Sequence, residues 1–111
     1  MLNLTKNTTC DFLRVGSVLV ATINTDRINE DSARQITNEI LERLEGCGGT
    51  CQQLTIDFSQ VVHAGSCCLS LCLELNNVME LRDGSTVITG LDTHLRWLFE
   101  AVHLDRVLTL A

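Results

Sequence analysis

The chain has 111 residues, of which 45% are hydrophobic, and its composition predicts one globular domain over residues 1–111. Its net charge of −6, with eight scattered basic residues, argues against a nucleic-acid partner, because phosphate binding requires clustered Lys and Arg. No segment reaches the roughly 20 apolar residues that span a bilayer. We therefore expect no direct membrane insertion and a cytoplasmic location.

The first half of the chain predicts two strands and a helix. The segments "CDFLRV" (Cys10–Val15) and "SVLVATI" (Ser17–Ile23) predict a hairpin. A helical repeat of apolar residues predicts a helix over Ile28–Gly46, which either Asn29 or Asp31 can cap. The residues with this spacing are Ala33, Ile36, Ile40, Leu41 and Leu44.

The second half alternates strands and helices. The segment "QLTIDFS" (Gln53–Ser59) alternates apolar and polar residues, which predicts a strand with one buried face. After the loop "QVVHAG", the remaining predicted elements are a helix over Ser66–Leu81, a strand over Ser85–Gly90, a helix over His94–Val102 and a strand over Arg106–Leu110. This order predicts an α/β fold, with a mixed and mostly parallel sheet of about five strands and helices mainly covering one face.

The six cysteines raise the possibility of a metal site. Cys47 and Cys51 have a spacing suitable for half of a zinc site, but Cys67, Cys68 and Cys72 do not supply the matching half. We therefore expect no metal and no cofactor.

A reactive thiol is the second possibility. Cys67 or Cys68 would lie in the first turn of a helix, where the dipole lowers a thiol pKa, and His63 is near in sequence. Cysteine is also a small residue that is often buried where a helix packs on a sheet. The pattern favours this structural role and leaves the redox alternative open.

Ser66 follows a strand and a short loop and opens a predicted helix. An anion at this position is stabilised, because first-turn N–H groups lack intrahelical partners and the dipole is positive there. A phosphoryl group would add close to two negative charges and block a partner that docks flush on the surface. The simpler interpretation is that the Ser66 side chain caps the helix, and the residue pattern alone favours the cap.

Three segments resemble the STAS domain, the family of bacterial anti-sigma factor antagonists. "IDFSQVVHAGSCCLSLCL" (Ile56–Leu73) is similar to the family pattern "LDLSGVxFIDSSGLGVLL", and "LRWLFEAVHLDRVLTL" (Leu95–Leu110) is similar to "VRRLFELTGLDRLFEI". "DRINEDSARQITNEI" resembles the entry to the family's first helix. The resemblance covers nearly the whole chain and implies a STAS-like fold and a protein-binding module without enzymatic activity.

The resemblance also implies partners and a site. Such domains bind a serine-kinase anti-sigma factor, which phosphorylates the first serine of the Asp-Ser-Ser-Gly motif, and a PP2C-type phosphatase resets them. That serine corresponds to Ser66. The partner-binding residues implied here are Asn29, His63, Gly65, Ser66, Cys67 and Cys68.

Five positions depart from the family pattern. Gly65 replaces the Asp of the motif, Cys67 and Cys68 replace its second Ser and its Gly, and Asn29 and His103 replace an Asp and a Gly elsewhere. The missing Asp favours an alternative, in which the chain is a non-phosphorylated STAS subunit of a lipid-transport ABC complex or of a stress-sensing assembly. A cysteine-based redox or metal protein is the third hypothesis.

Overall fold

A computed structural model describes residues 9–111 of the protein. Its strands are β1 (Cys10–Val15), β2 (Val18–Ile23), β3 (Arg27–Ile28), β4 (Gln53–Asp57), β5 (His63–Ala64), β6 (Ser85–Thr89) and β7 (Thr109–Leu110). Its helices are α1 (Glu30–Gly46), α2 (Cys67–Leu81) and α3 (Thr93–Ala101), followed by a short 3-10 helix over Leu104–Arg106.

Five strands form one mixed sheet in the order β1-β2-β4-β6-β7. β1 and β2 form the predicted antiparallel hairpin, and the other neighbouring pairs are parallel. Along β2 and β4 every second side chain is buried, so one face of the sheet faces the core. The predicted α/β fold, with helices mainly on one face of a mostly parallel sheet, is confirmed.

The helices supply the other half of the core. α1 and α2 bury apolar rows against the sheet, and each buried Leu or Ile contributes about 1.5–3 kcal/mol. α3 is attached through Phe99, whose ring meets that of Phe58 edge to face at 6.1 Å. No helix in the described residues is both long enough and apolar enough to cross a bilayer.

Two parts of the chain differ from the sequence prediction. The loop "QVVHAG" contains β5, which pairs in parallel with β3 to form a separate two-stranded sheet. The sequence predicts the last strand over Arg106–Leu110, but it covers only Thr109–Leu110, because Arg106 ends a 3-10 turn and the chain turns and bends over residues 107–108. That turn begins after His103, which has a left-handed backbone with φ of 65°.

Candidate functional site

The pairing of β3 with β5 brings the start of α1 next to the start of α2. Arg27 lies opposite His63 in this pair. The N–H groups of Val62 and His63 both donate to the Asp26 carbonyl, at 2.8 and 2.9 Å. These backbone contacts join two loops that lie more than thirty residues apart in sequence. They place two predicted site segments on one surface.

Asp57 fixes the chain where it leaves β4 for this surface. Its Oδ1 accepts from the Ser59 N–H at 3.0 Å, and its Oδ2 accepts from the Ser59 hydroxyl at 3.1 Å. The Thr89 hydroxyl donates to Oδ1 at 3.4 Å. The Asp57 carboxylate therefore orders the start of the loop that leads to Ser66.

Ser66 is exposed at the start of α2, and its hydroxyl makes no capping hydrogen bond to the helix within the described residues. Its backbone is already helical, with φ of −64° and ψ of −17°. The Cys68 N–H donates instead to the Gly65 carbonyl at 3.2 Å, and the Leu69 N–H donates to the Ser66 carbonyl at 3.0 Å. The prediction that the Ser66 side chain caps the helix is wrong, and the hydroxyl is available for other chemistry.

A shallow groove of about 800 Å³ lies around Ser66. A second groove, of about 450 Å³, contains His63 and shares Ile28, Asn29 and Gly65 with the first. Together these grooves, which we call the serine surface, are lined by Arg27, Ile28, Asn29, Glu30, Asp31, Val62, His63, Ala64, Gly65, Ser66, Cys67, Ser70 and His94. The fold thus brings five of the six predicted binding residues together.

Cys68 is the predicted binding residue that the fold does not bring to the serine surface. Its side chain is completely buried in the core, so it offers no atom to a partner. Burial also raises the pKa of the Cys68 thiol to about 11, which opposes any effect of the helix dipole. A partner contact or nucleophilic role for Cys68 is therefore not supported by its position.

The thiol of Cys67 is half-buried and donates to the Ile28 carbonyl at 3.7 Å. In the part of the chain that the structure describes, no hydrogen bond joins His63 to Cys67, so the predicted base and nucleophile are not paired. Burial raises the pKa of the Cys72 thiol well above its usual value. Residues 9–111 contain no group of three or more His, Cys, Asp or Glu side chains that could hold a metal ion.

Two carboxylates on the serine surface were missed by the sequence reasoning. Glu30 and Asp31, in the first turn of α1, line the groove that contains Ser66. Although Asn29 and Gly65 replace the acidic residues of the family, Glu30 therefore keeps a carboxylate in the groove, while the Asp31 carboxylate lies 3.7 Å from the Arg34 guanidinium. The acidic first turn was visible in the sequence, but its distance from Ser66 depends on the pairing of β3 with β5.

The family model described as "Mlab, STAS domain" matches residues 25–110, and the chain therefore belongs to the STAS domain family. No curated protein matches the chain.

Solved structures with the same fold include a variant of RsbS from Moorella thermoacetica, at 22% identity, with a TM-score of 0.75 and coverage of 94% of this chain and 86% of that chain. A STAS domain protein from Planctomyces limnophilus has 16% identity, a TM-score of 0.81 and coverage of 96% and 91%. The unphosphorylated anti-sigma factor antagonist SpoIIAA has 16% identity, a TM-score of 0.75 and coverage of 92% and 87%. The phosphorylated form of SpoIIAA, from Bacillus, has 15% identity, a TM-score of 0.69 and coverage of 92% and 90%.

Proposed function

We propose that this protein is a cytoplasmic anti-sigma factor antagonist, which binds a serine-kinase anti-sigma factor through the serine surface and is released when Ser66 is phosphorylated. The observation that carries the proposal is the exposed Ser66 hydroxyl, which the helix does not use. A PP2C-type phosphatase would restore the binding form. The similar protein SpoIIAA, described in phosphorylated and unphosphorylated forms, supports a switch of this kind.

The electrostatics of the groove explain how a phosphate would release the partner. A phosphoserine carries about −1.5 to −2 charges at pH 7. At Ser66 it would stand in the groove that Glu30 and Asp31 line, of which Asp31 is paired with Arg34. The N-terminus of α2 stabilises the phosphate itself. A partner surface that fits the unphosphorylated groove would then meet added bulk and added negative charge.

Phosphorylation is tested with the full chain, the anti-sigma kinase that co-purifies with it from its native host, and ATP. Intact mass should increase by one phosphate in the wild type. Ser66→Ala should abolish this increase. Ser70→Ala is the matched control, because Ser70 is an exposed serine in the same groove, and it should leave the increase unchanged. Phosphate that persists in Ser66→Ala would refute the proposed site.

Gly65→Asp tests the departure from the family motif. A Cβ at Gly65 would meet no atom within 4 Å, so the residue has room for a side chain. If the kinase recognises the Asp of the family motif, restoring this acid at position 65 should increase the rate of Ser66 phosphorylation. An unchanged rate would show that this kinase does not need the acid.

The second candidate function is a non-phosphorylated STAS subunit of a lipid-transport ABC complex or of a stress-sensing assembly. It is favoured by Gly65, which stands where the motif Asp would precede the phosphorylated serine. Co-purification distinguishes the candidates. Co-purification of a histidine-kinase-like ATPase supports the first candidate. Co-purification of an ABC ATPase, with the wild type and equally with Ser66→Glu, supports the second.

A further inference from the structure

Cys47 and Cys51 form a thiol pair at the opposite end of α1 from the serine surface. Their sulfur atoms are 2.9 Å apart, and Cys51 donates to Cys47. A disulfide bond is about 2.05 Å long, so covalent closure requires a shift of about 0.9 Å. α1 has 17 residues and is therefore about 25 Å long, which separates this pair from Ser66.

The surrounding backbone holds the two thiols together from both sides. The Cys47 N–H donates to the Arg43 carbonyl at the end of α1. Two glycines with positive φ then reverse the chain, and the Thr50 N–H donates back to the Cys47 carbonyl at 3.1 Å. The Gln52 N–H next to Cys51 donates to the Ser17 carbonyl at 2.8 Å, which attaches this end to the hairpin.

The two sulfurs differ in accessibility. Cys47 is partly exposed, whereas Cys51 is 1% exposed. Burial and the neighbouring Cys47 raise the pKa of Cys51, while the guanidinium groups of Arg14 and Arg82 act in the opposite direction. The net pKa of the Cys51 thiol is raised, so Cys51 is the less reactive of the two sulfurs toward an oxidant in solution. The arrangement suits an outer attacking thiol and an inner resolving thiol.

We propose that Cys47 and Cys51 are a reversible disulfide site that reacts with small-molecule disulfides such as oxidised glutathione. The Cys47 thiolate attacks one sulfur of the oxidant, forming a mixed disulfide and releasing one glutathione thiolate. The Cys51 thiolate then attacks the Cys47 sulfur, closing the protein disulfide and releasing the second glutathione. The protein loses two electrons and two protons, and the oxidant becomes two glutathione thiols.

The test treats the folded full chain with oxidised glutathione, blocks the remaining thiols and digests it with a protease that cuts before Asp. This cleavage gives the peptide Asp31–Ile56, which contains Cys47 and Cys51 and no other cysteine. That peptide should be lighter by two hydrogen atoms, and a dithiol reductant should reverse the change. A peptide that carries two blocking groups and no disulfide, under conditions in which Cys67 acquires glutathione, would overturn the proposal.

Single variants separate the two roles. Cys47→Ser should lose the bond, whereas Cys51→Ser should keep one glutathione attached to Cys47 because the resolving thiol is missing. Cys51→Ala provides the same readout if the serine variant does not fold. Cys67→Ser is the control, because Cys67 is a half-buried thiol elsewhere in the chain, and it should keep the bond. A two-hydrogen loss that persists in the intact mass of Cys47→Ser would also overturn the proposal, since other thiols would then be pairing.

Discussion

Gly90 provides the sharpest test of how the loop toward Ser66 is held. It follows β6 with φ of +74°, a backbone conformation that side chains with a Cβ disfavour. A Cβ at this position would lie 2.5 Å from Asp57 Oδ1 and 2.6 Å from the Ser59 nitrogen. Gly90→Ala must therefore displace the hydrogen bond that orders the loop.

Gly16→Ala is the matched control for this change. Gly16 has φ of +60°, but a Cβ there would meet no atom within 4 Å. The left-handed backbone costs about 1–2 kcal/mol for either alanine, and the effect of alanine on the unfolded chain is the same for both. The difference between the two variants therefore reports the steric contact alone. Overpacking and disturbance of a charged hydrogen bond predict a difference of about 2 kcal/mol.

Urea unfolding followed by circular dichroism measures this difference. A domain of this size has a free energy of unfolding of about 5–15 kcal/mol, so both variants should remain folded in water. With a slope of about 1–3 kcal/mol per molar urea, the midpoint of Gly90→Ala should lie about 1 M below that of Gly16→Ala. Equal midpoints would refute the argument that Gly90 is required for close approach to Asp57 and Ser59.

Three further predictions concern stability at single positions, and a fourth concerns local opening. Thr86 is 2% exposed, and its hydroxyl has no hydrogen-bond partner within residues 9–111, so Thr86→Val should raise the free energy of unfolding by about 1 kcal/mol. Thr37→Val should lower the free energy of unfolding in the same assay, because the buried Thr37 hydroxyl donates to the Ala33 carbonyl in α1. A lower free energy of unfolding in both variants would contradict this reasoning. His103→Gly should raise the thermal midpoint, since relief of the left-handed backbone is worth about 1 kcal/mol, and an unchanged midpoint would count against strain there. Glu39→Ala removes a carboxylate that accepts from the N–H groups at the start of β1, so the Cys10 amide should exchange faster by NMR while amides at the centre of β4 do not.

The long elements were predictable because their periodicity is visible over several residues. The predicted and observed bounds of β1 are the same, and the helix predicted over Ser66–Leu81 differs from α2 by one residue. The two-residue strands β3 and β5 were missed, because two residues cannot display an alternation. Their pairing depends on contacts between distant segments, and it is this pairing that assembles the serine surface.

The site was predictable as residue positions but not as an arrangement. The motif located Ser66, yet whether its hydroxyl caps α2 depends on backbone angles that the sequence does not contain. Cys68 is one of the binding residues that the resemblance implies, but it lies four residues before Cys72 on an apolar helix face, and the structure buries it in the core. Cys47 and Cys51 were recognised by spacing as half of a metal site, whereas the approach of their sulfurs depends on the chain reversal between them.

The uncapped start of α2 means that the side chain at position 66 can change without the loss of a helix cap. α1 and α3 each begin at a residue whose side chain accepts a backbone N–H, Asn29 and Asp92, so replacing either would cost stability of about 0.5–2 kcal/mol. Replacing or modifying Ser66 breaks no such bond. A lineage could therefore gain, lose or retune chemistry at Ser66 without compensating changes in the core, whereas the same freedom does not exist at the other two helix starts.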